Sequence, residues 1–202
     1  MLKTFFLLSF VSFAFLTGCS SSPTSPGTNS NNNSNPSDSY LPLTTGSTWT
    51  YVGVRAYTLT ILGDTTYNGK SWKILNNSAS VGVGFVRKDG TIYTQISPSG
   101  SPVAGEFIGL NEAPGSTWAW DISAGGVTNH YAYTNQAQGL THTVLGKDYS
   151  NVIQVHLVYT ASLNGTVVQS ATGDYYYAKG IGMIDADLGS LGSSQLSSYS
   201  IK

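Results

Sequence analysis

From residue 40 onward the chain is built of short runs in which apolar and polar positions alternate, separated by glycine-containing turns. This is the pattern of half-buried β-strands, whose side chains point to opposite faces in turn. Over residues 152–159, Ile153, Val155, Leu157 and Tyr159 share one face, and Gln154 and His156 fall on the other. Trp49 and Tyr51 likewise share a face, flanked by Thr48 and Thr50. No stretch of a dozen residues keeps the spacing of an amphipathic helix. The pattern predicts a single all-β domain over residues 40–202, an antiparallel meander of consecutive hairpins.

The strands also repeat themselves. GSTWTY at Gly46 is answered by GSTWAW at Gly115, TLTILGD at Thr58 by THTVLGK at Thr141, and FVRKDGTIY at Phe85 by YYAKGIGMI at Tyr176. The order is kept while the spacing lengthens, as duplication with insertions would leave it. The reading is repeat one over about residues 40–110 and repeat two over about 111–202. A unit of a few strands with one apolar face is too small to stand alone. Two such units are expected to form a closed or half-open β-barrel, with a two-sheet β-sandwich as the alternative.

The first 39 residues follow neither pattern. Lys3 precedes an apolar run over 5–16, shorter than the ~20 residues a membrane-spanning helix needs, so residues 1–18 read as a signal peptide. The run stops at Leu16-Thr17-Gly18-Cys19, which resembles the lipobox of bacterial lipoproteins. That resemblance implies cleavage before Cys19, a diacylglycerol on its thiol and an acyl chain on the new amine. Each buried CH₂ adds ~0.8 kcal/mol, so two or three chains hold where one would not. Ser20 follows, where in the lipoprotein sorting rule an Asp would signal inner-membrane retention, so the outer membrane is the expected site. From Ser20 to Ser39 the chain has no aliphatic or aromatic residue. Residues 19–39 therefore read as a lipidated cysteine and a disordered tether, which holds the domain ~25 Å from the lipid.

Composition narrows the partners more than it names them. Charged residues make up 9% of the chain, with 9 basic and 10 acidic, so no basic field exists to hold nucleic acid. Cys19 is the sole cysteine, which rules out a disulfide within the chain.

Known catalytic patterns are not found. Neither G-x-S-x-G nor a phosphate-binding G-x-x-x-x-G-K-[ST] occurs, and His130, His142 and His156 lack the close spacing of a zinc pair. Glu106, Glu112, Asp121, Asp185 and Asp187 are the carboxylates from which a glycoside-hydrolase pair would be drawn. Asp185 and Asp187 share one strand face and are the candidate metal ligands, through hard oxygens suited to calcium. Capping turns and keeping an edge soluble is the competing reading. His142 aligns with Leu59 on an apolar face, as a ligand contact or a hydrogen-bonded core histidine. Among the aromatics, Trp72 and Trp120 are candidate ligand contacts, whereas Trp49 and Trp118 read as core. Tyr175 and Tyr177 point away from Tyr176, so that run is no single platform. No cofactor is expected.

Five motifs in order carry a further resemblance: Pro42-Leu43 with Gly46, Trp49 and Tyr51; residues 58–63; residues 151–155; residues 176–184; and residues 196–199. Together they are similar to the TapB-like family of bacterial secreted proteins and lipoproteins, across nearly all of the mature domain. The resemblance implies an all-β envelope protein and carries no catalytic residues with it. The expected function is a membrane-anchored, non-catalytic binding or interaction module for a hydrophobic ligand, a glycan or an envelope protein. A carboxylate-pair hydrolase and a purely structural envelope protein are the alternatives.

Overall fold

The computed structural model describes residues 39–54, 56–80, 82–90, 92–96, 106–108, 110, 113–189 and 192–202, with the backbone alone at 106–108. The signal peptide, Cys19 and the tether up to residue 38 lie outside the described residues, as does Glu112.

Alternation and glycine turns give twelve strands among the described residues: β1 (Thr48–Gly53), β2 (Tyr57–Tyr67), β3 (Lys70–Asn77), β4 (Val83–Asp89), β5 (Ile92–Ile96), β6 (Glu106–Ile108), β7 (Thr117–Ala124), β8 (Val127–Val144), β9 (Lys147–Leu163), β10 (Thr166–Ala178), β11 (Gly182–Asp187) and β12 (Ser193–Ser200). They form one antiparallel sheet in the order β6-β5-β4-β3-β2-β1-β12-β11-β10-β9-β8-β7. Each strand lies beside its neighbours in sequence, and pairing of β1 with β12 joins the two halves. The chain is thus an all-β meander, as the alternation requires.

Two finer expectations need correction. The sheet is not closed into a barrel: β6 and β7 are its edges, and they approach within 8 Å between Cα atoms without pairing. Nor are there two stacked sheets, because the β1–β12 ladder runs from Thr48↔Ser200 to Gly53↔Ser194 and leaves no break between the halves.

The doubled GSTW occupies equivalent places. Gly46 N–H donates to the Ile61 carbonyl (2.8 Å), Ser47 N–H to Thr44 (3.1 Å) and Ile61 N–H to Ser47 (3.0 Å). In the second copy Gly115 donates to Asn135 (2.7 Å), Ser116 to Ala113 (3.1 Å) and Asn135 to Ser116 (2.9 Å). Gly46 and Gly115 have φ of 86° and 89°, a left-handed turn that a side chain would strain. By this register Leu59, opposite Trp49, corresponds to Tyr133, opposite Trp118. The phrase at Thr141 is therefore not the counterpart of the phrase at Thr58: it ends β8 and enters the β8–β9 turn, whereas Thr58 lies within β2. The third pair fits better, spanning β4–β5 in one copy and β10–β11 in the other.

The apolar faces build two buried clusters. Ile153, Val155, Leu157 and Tyr159 all lie in the second, together with Tyr93, Tyr131 and Tyr177, so the face read from alternation is the buried one. Their neighbour Val152 belongs instead to the first, with Trp49, Tyr51, Ile61, Ile184 and Leu196. Met183 packs on both clusters, so the two adjoin. Three register shifts between Asn135 and His142, with positive φ at Gly139 and Asn151, bend the β8–β9 hairpin. Its far end brings Val144 and Tyr149 into the first cluster. Lys147 Nζ sits 4.9 Å from the ring centres of both Tyr149 and Tyr199, fastening that end to β12.

Residues 39–43 join the two clusters. Leu41 and Leu43 pack on both. Ser39, which composition assigns to the tether, accepts the Gly180 N–H (2.8 Å) and shares a hydrogen bond with the Tyr93 hydroxyl (2.5 Å).

Candidate functional site

The β2–β3 turn is Asn68-Gly69, both at positive φ (50° and 71°), the two-residue turn that suits the twist of a hairpin. It sets Tyr67 directly opposite Lys70, and alternation puts Trp72 on the same face as Lys70. Across β4 and β5 the same face carries Phe85, Arg87 and Ile96, because Phe85 pairs with both Ile74 and Ile96. The opposite face of these strands holds Val86 and Tyr93, which belong to the two buried clusters. Tyr67, Asn68, Lys70, Trp72 and Ile96 line an open cavity of about 300 Å³ on the outer face. That size is at the lower end of small-molecule sites.

Trp72 is held in place from two sides. Its indole N–H donates to the Tyr67 carbonyl at 3.2 Å, and the Arg87 guanidinium lies 4.9 Å over its ring. Arg87 is ion-paired with Asp89, while the Tyr67 ring meets Phe85 at 5.6 Å between centres. Trp72 is itself only 6% exposed beneath Arg87, so the site offers a ligand mainly a phenol, a carboxamide and one ammonium above a nearly buried indole, with no carboxylate among its lining residues. Aromatic faces and a few polar groups can grip a flat, partly polar ligand. They hold no nucleophile paired with a base.

The other candidates lie elsewhere. Trp120 is half-buried on the β7 edge, stacked on Tyr131 at 4.3 Å, and its indole N–H is buried without a hydrogen-bond partner. His142 and Asp185, chosen for different roles, come together: His142 Nε2 is 2.9 Å from Asp185 Oδ2, and its ring stacks on Tyr176 at 3.8 Å. Asp185 is 7% exposed and its Oδ1 is buried without a partner. Burial, with Asp174, Asp185 and Asp187 nearby, raises the Tyr176 pKa. Asp187 is exposed and accepts the Gly189 N–H (3.0 Å), a turn-capping role. Asp185 and Asp187 therefore do not converge, and among the described residues no three His, Cys, Asp or Glu side chains group as a metal site.

Every carboxylate whose side chain is described is engaged. Asp64 pairs with Lys73, Asp89 with Arg87, Asp121 with His130 and Asp174 with His156. Asp148 accepts from Thr143, Asp185 meets His142, and Asp187 takes its turn N–H. None lines the cavity. The Glu106 and Glu112 side chains lie outside the described residues.

Sequence reading singled out Trp72 but missed its companions Tyr67, Asn68 and Lys70. The signal was available: an Asn-Gly pair between alternating runs fixes a two-residue turn, and with it which flanking residues face each other.

The chain matches no family model, no curated protein and no solved structure.

Proposed function

We propose that this protein is a lipid-anchored, non-catalytic cell-envelope binding module, presented on a tether from the outer membrane through Cys19. The cavity beside Trp72 carries the binding part of the reading: it is open, aromatic, and free of carboxylates among its lining residues. A ligand held inside the sheet has less support, because Leu41 and Leu43 join both buried clusters there. An open outer-face site suits the ring of a glycan better than an apolar molecule, which would keep much of its surface in water.

The hydrolase alternative finds no support in the described carboxylates, each of which is engaged by a neighbour. We also read the sheet as a half-open barrel of two related six-strand units. The three hydrogen bonds shared by the Gly46 and Gly115 turns support this, as does the placing of the third phrase six strands apart. The five ordered motifs support kinship with TapB-like proteins, which we retain as part of the same proposal.

The test is saturation-transfer NMR of the full chain in detergent against a panel of envelope-type oligosaccharides. Trp72→Phe keeps an apolar ring in place and removes the indole. At least about a tenfold loss of affinity is expected for the oligosaccharides that bind, about 1.4 kcal/mol. Binding that Trp72→Phe leaves unchanged would place the site elsewhere.

A further inference from the structure

We infer that the tip of the β8–β9 hairpin is a lipid contact, which seats the tether end of the domain on an anionic membrane surface; the inference rests on the anchoring through Cys19 proposed above. Three hairpins close on two-residue turns of one geometry, between directly opposed flanking residues. Asn68-Gly69 has φ of 50° and 71°, Asn164-Gly165 has 49° and 83°, and Leu145-Gly146 has 50° and 78°. The first position is left-handed backbone, which asparagine tolerates and leucine does not favour. Leu145 is also 56% exposed, so burial does little to offset that strain. An apolar side chain held at a strained, exposed tip points to an apolar partner outside the chain. Val54, Val167 and Val168 are exposed as well, but none of them stands at positive φ.

Topology says what lies beyond the tip. Each strand reverses the one before it, so the connections alternate between two ends of the sheet. The β2–β3, β4–β5, β8–β9 and β10–β11 turns share one end with residues 39–47 and the close of β12. Ser39, where the tether enters, accepts the Gly180 N–H in the β10–β11 turn. Lys147 reaches the Tyr199 ring near the close of β12, so the bent tip stays at this end. A tether running from Cys19 to Ser39 therefore delivers Leu145 toward the bilayer and holds Val167 and Val168, at the β9–β10 end, away from it.

Charge fits the same partner. Lys70, Lys88, Lys147, Lys179 and Lys202 are exposed, and each lies in or within two residues of the turns and termini of this end. Lys73 and Arg87, slightly further along their strands, are neutralised by Asp64 and Asp89. Asp38, Glu112 and Asp148 are the other acids that chain position puts at this end, and the five lysines outnumber them. At the opposite end the connections carry one cation, Arg55. Lysines round an apolar tip match anionic headgroups with acyl chains beneath them. One leucine and a few lysines bind a bilayer weakly. The tether makes weak binding sufficient, because it holds the tip near the surface at a roughly millimolar effective concentration.

The experiment places the full lipidated chain in nanodiscs of phosphatidylethanolamine with phosphatidylglycerol, or of phosphatidylcholine alone, each carrying a headgroup spin label. Broadening of backbone amide NMR signals then reports which end meets the lipid. The Gly146 amide is expected to broaden at least about threefold more in the anionic discs, with Gly165 unchanged and the difference shrinking as salt is raised. Leu145→Asn recreates the Asn-Gly turn of the other two hairpins, so thermal stability should hold or rise while the broadening at Gly146 falls about threefold. Val168→Asn should leave the broadening as it is. If Leu145→Asn keeps the broadening, or lowers thermal stability and so assigns Leu145 to the fold, the lipid contact is overturned while the anchor stands. Equal broadening in the two kinds of disc overturns it likewise. If the chain recovered from membranes carries no lipid on Cys19, the anchor and the contact fall together.

Discussion

Replacing Trp49 by alanine is expected to cost about 3–5 kcal/mol, while the same change at Trp118 costs about 1–2 kcal/mol, although both lie in GSTW. Trp49 is 2% exposed, sits in the first cluster, and donates its indole N–H to the Ile181 carbonyl at 2.5 Å. Its removal opens a cavity where β1 and β12 join the two halves of the sheet, and leaves that carbonyl without its donor. Trp118 is half-buried on an edge strand and stacks on Tyr133 at 5.7 Å between centres. Its indole N–H is already buried without a partner, so truncation relieves a desolvated donor as it removes the ring. Urea denaturation of the two variants measures the difference. Equal losses would mean that the two halves of the sheet are equally packed around their tryptophans.

The second large effect concerns alkaline pH. Burial pushes the Tyr57 hydroxyl up from 10.0 to about 12, opposed by its hydrogen bond to Ser194. Tyr51 stacks on Tyr57 at 4.7 Å and donates to the Met183 carbonyl at 2.9 Å. Burial, with Tyr57 and Tyr149 beside it, raises Tyr51 well above the usual phenol value. Between these values and 10.0 the unfolded chain has released protons that the folded chain still holds. The folded state therefore loses stability as pH rises, starting near the unfolded value. Tyr57 alone accounts for about 3 kcal/mol between 10.0 and about 12. Urea midpoints are expected to be flat up to pH 10 and to fall steeply above it. Tyr57→Phe should make that fall shallower. A wild-type midpoint that stays constant through this range would contradict the assigned burial of the pair.

The sequence and the fold agree wherever a strand is straight and wrong registers are penalised. Shifting β9 by one residue would turn Ile153, Val155, Leu157 and Tyr159 out to solvent, so alternation specified their face. It failed where the backbone departs from strand geometry. The bend at Gly139 and Asn151 carries Val144 and Tyr149 into the first cluster, a placement about which two-residue periodicity says nothing. This same bend brings His142 to Asp185, a contact between β8 and β11 that no local spacing reveals. THTVLGK resembles TLTILGD in letters, yet backbone hydrogen bonds assign the structural match to the segment ending at Asn135. At the candidate site the indole was legible as a large ring in a polar run. Its companions depend on which residues the Asn68-Gly69 turn places opposite each other, and that requires the hairpin as a whole.

A shallow site on a single domain matters biologically only if many copies share one surface, so the proposed function depends first on Cys19. The direct measurement is the intact mass of the protein extracted from cell membranes. The expected result is a chain beginning at Cys19 and carrying a diacylglycerol plus an amide-linked acyl chain, with Cys19→Ala recovered in the aqueous phase on detergent partitioning. A membrane-extracted chain that keeps residues 1–18, or that carries an unmodified Cys19, would contradict the anchored-module account.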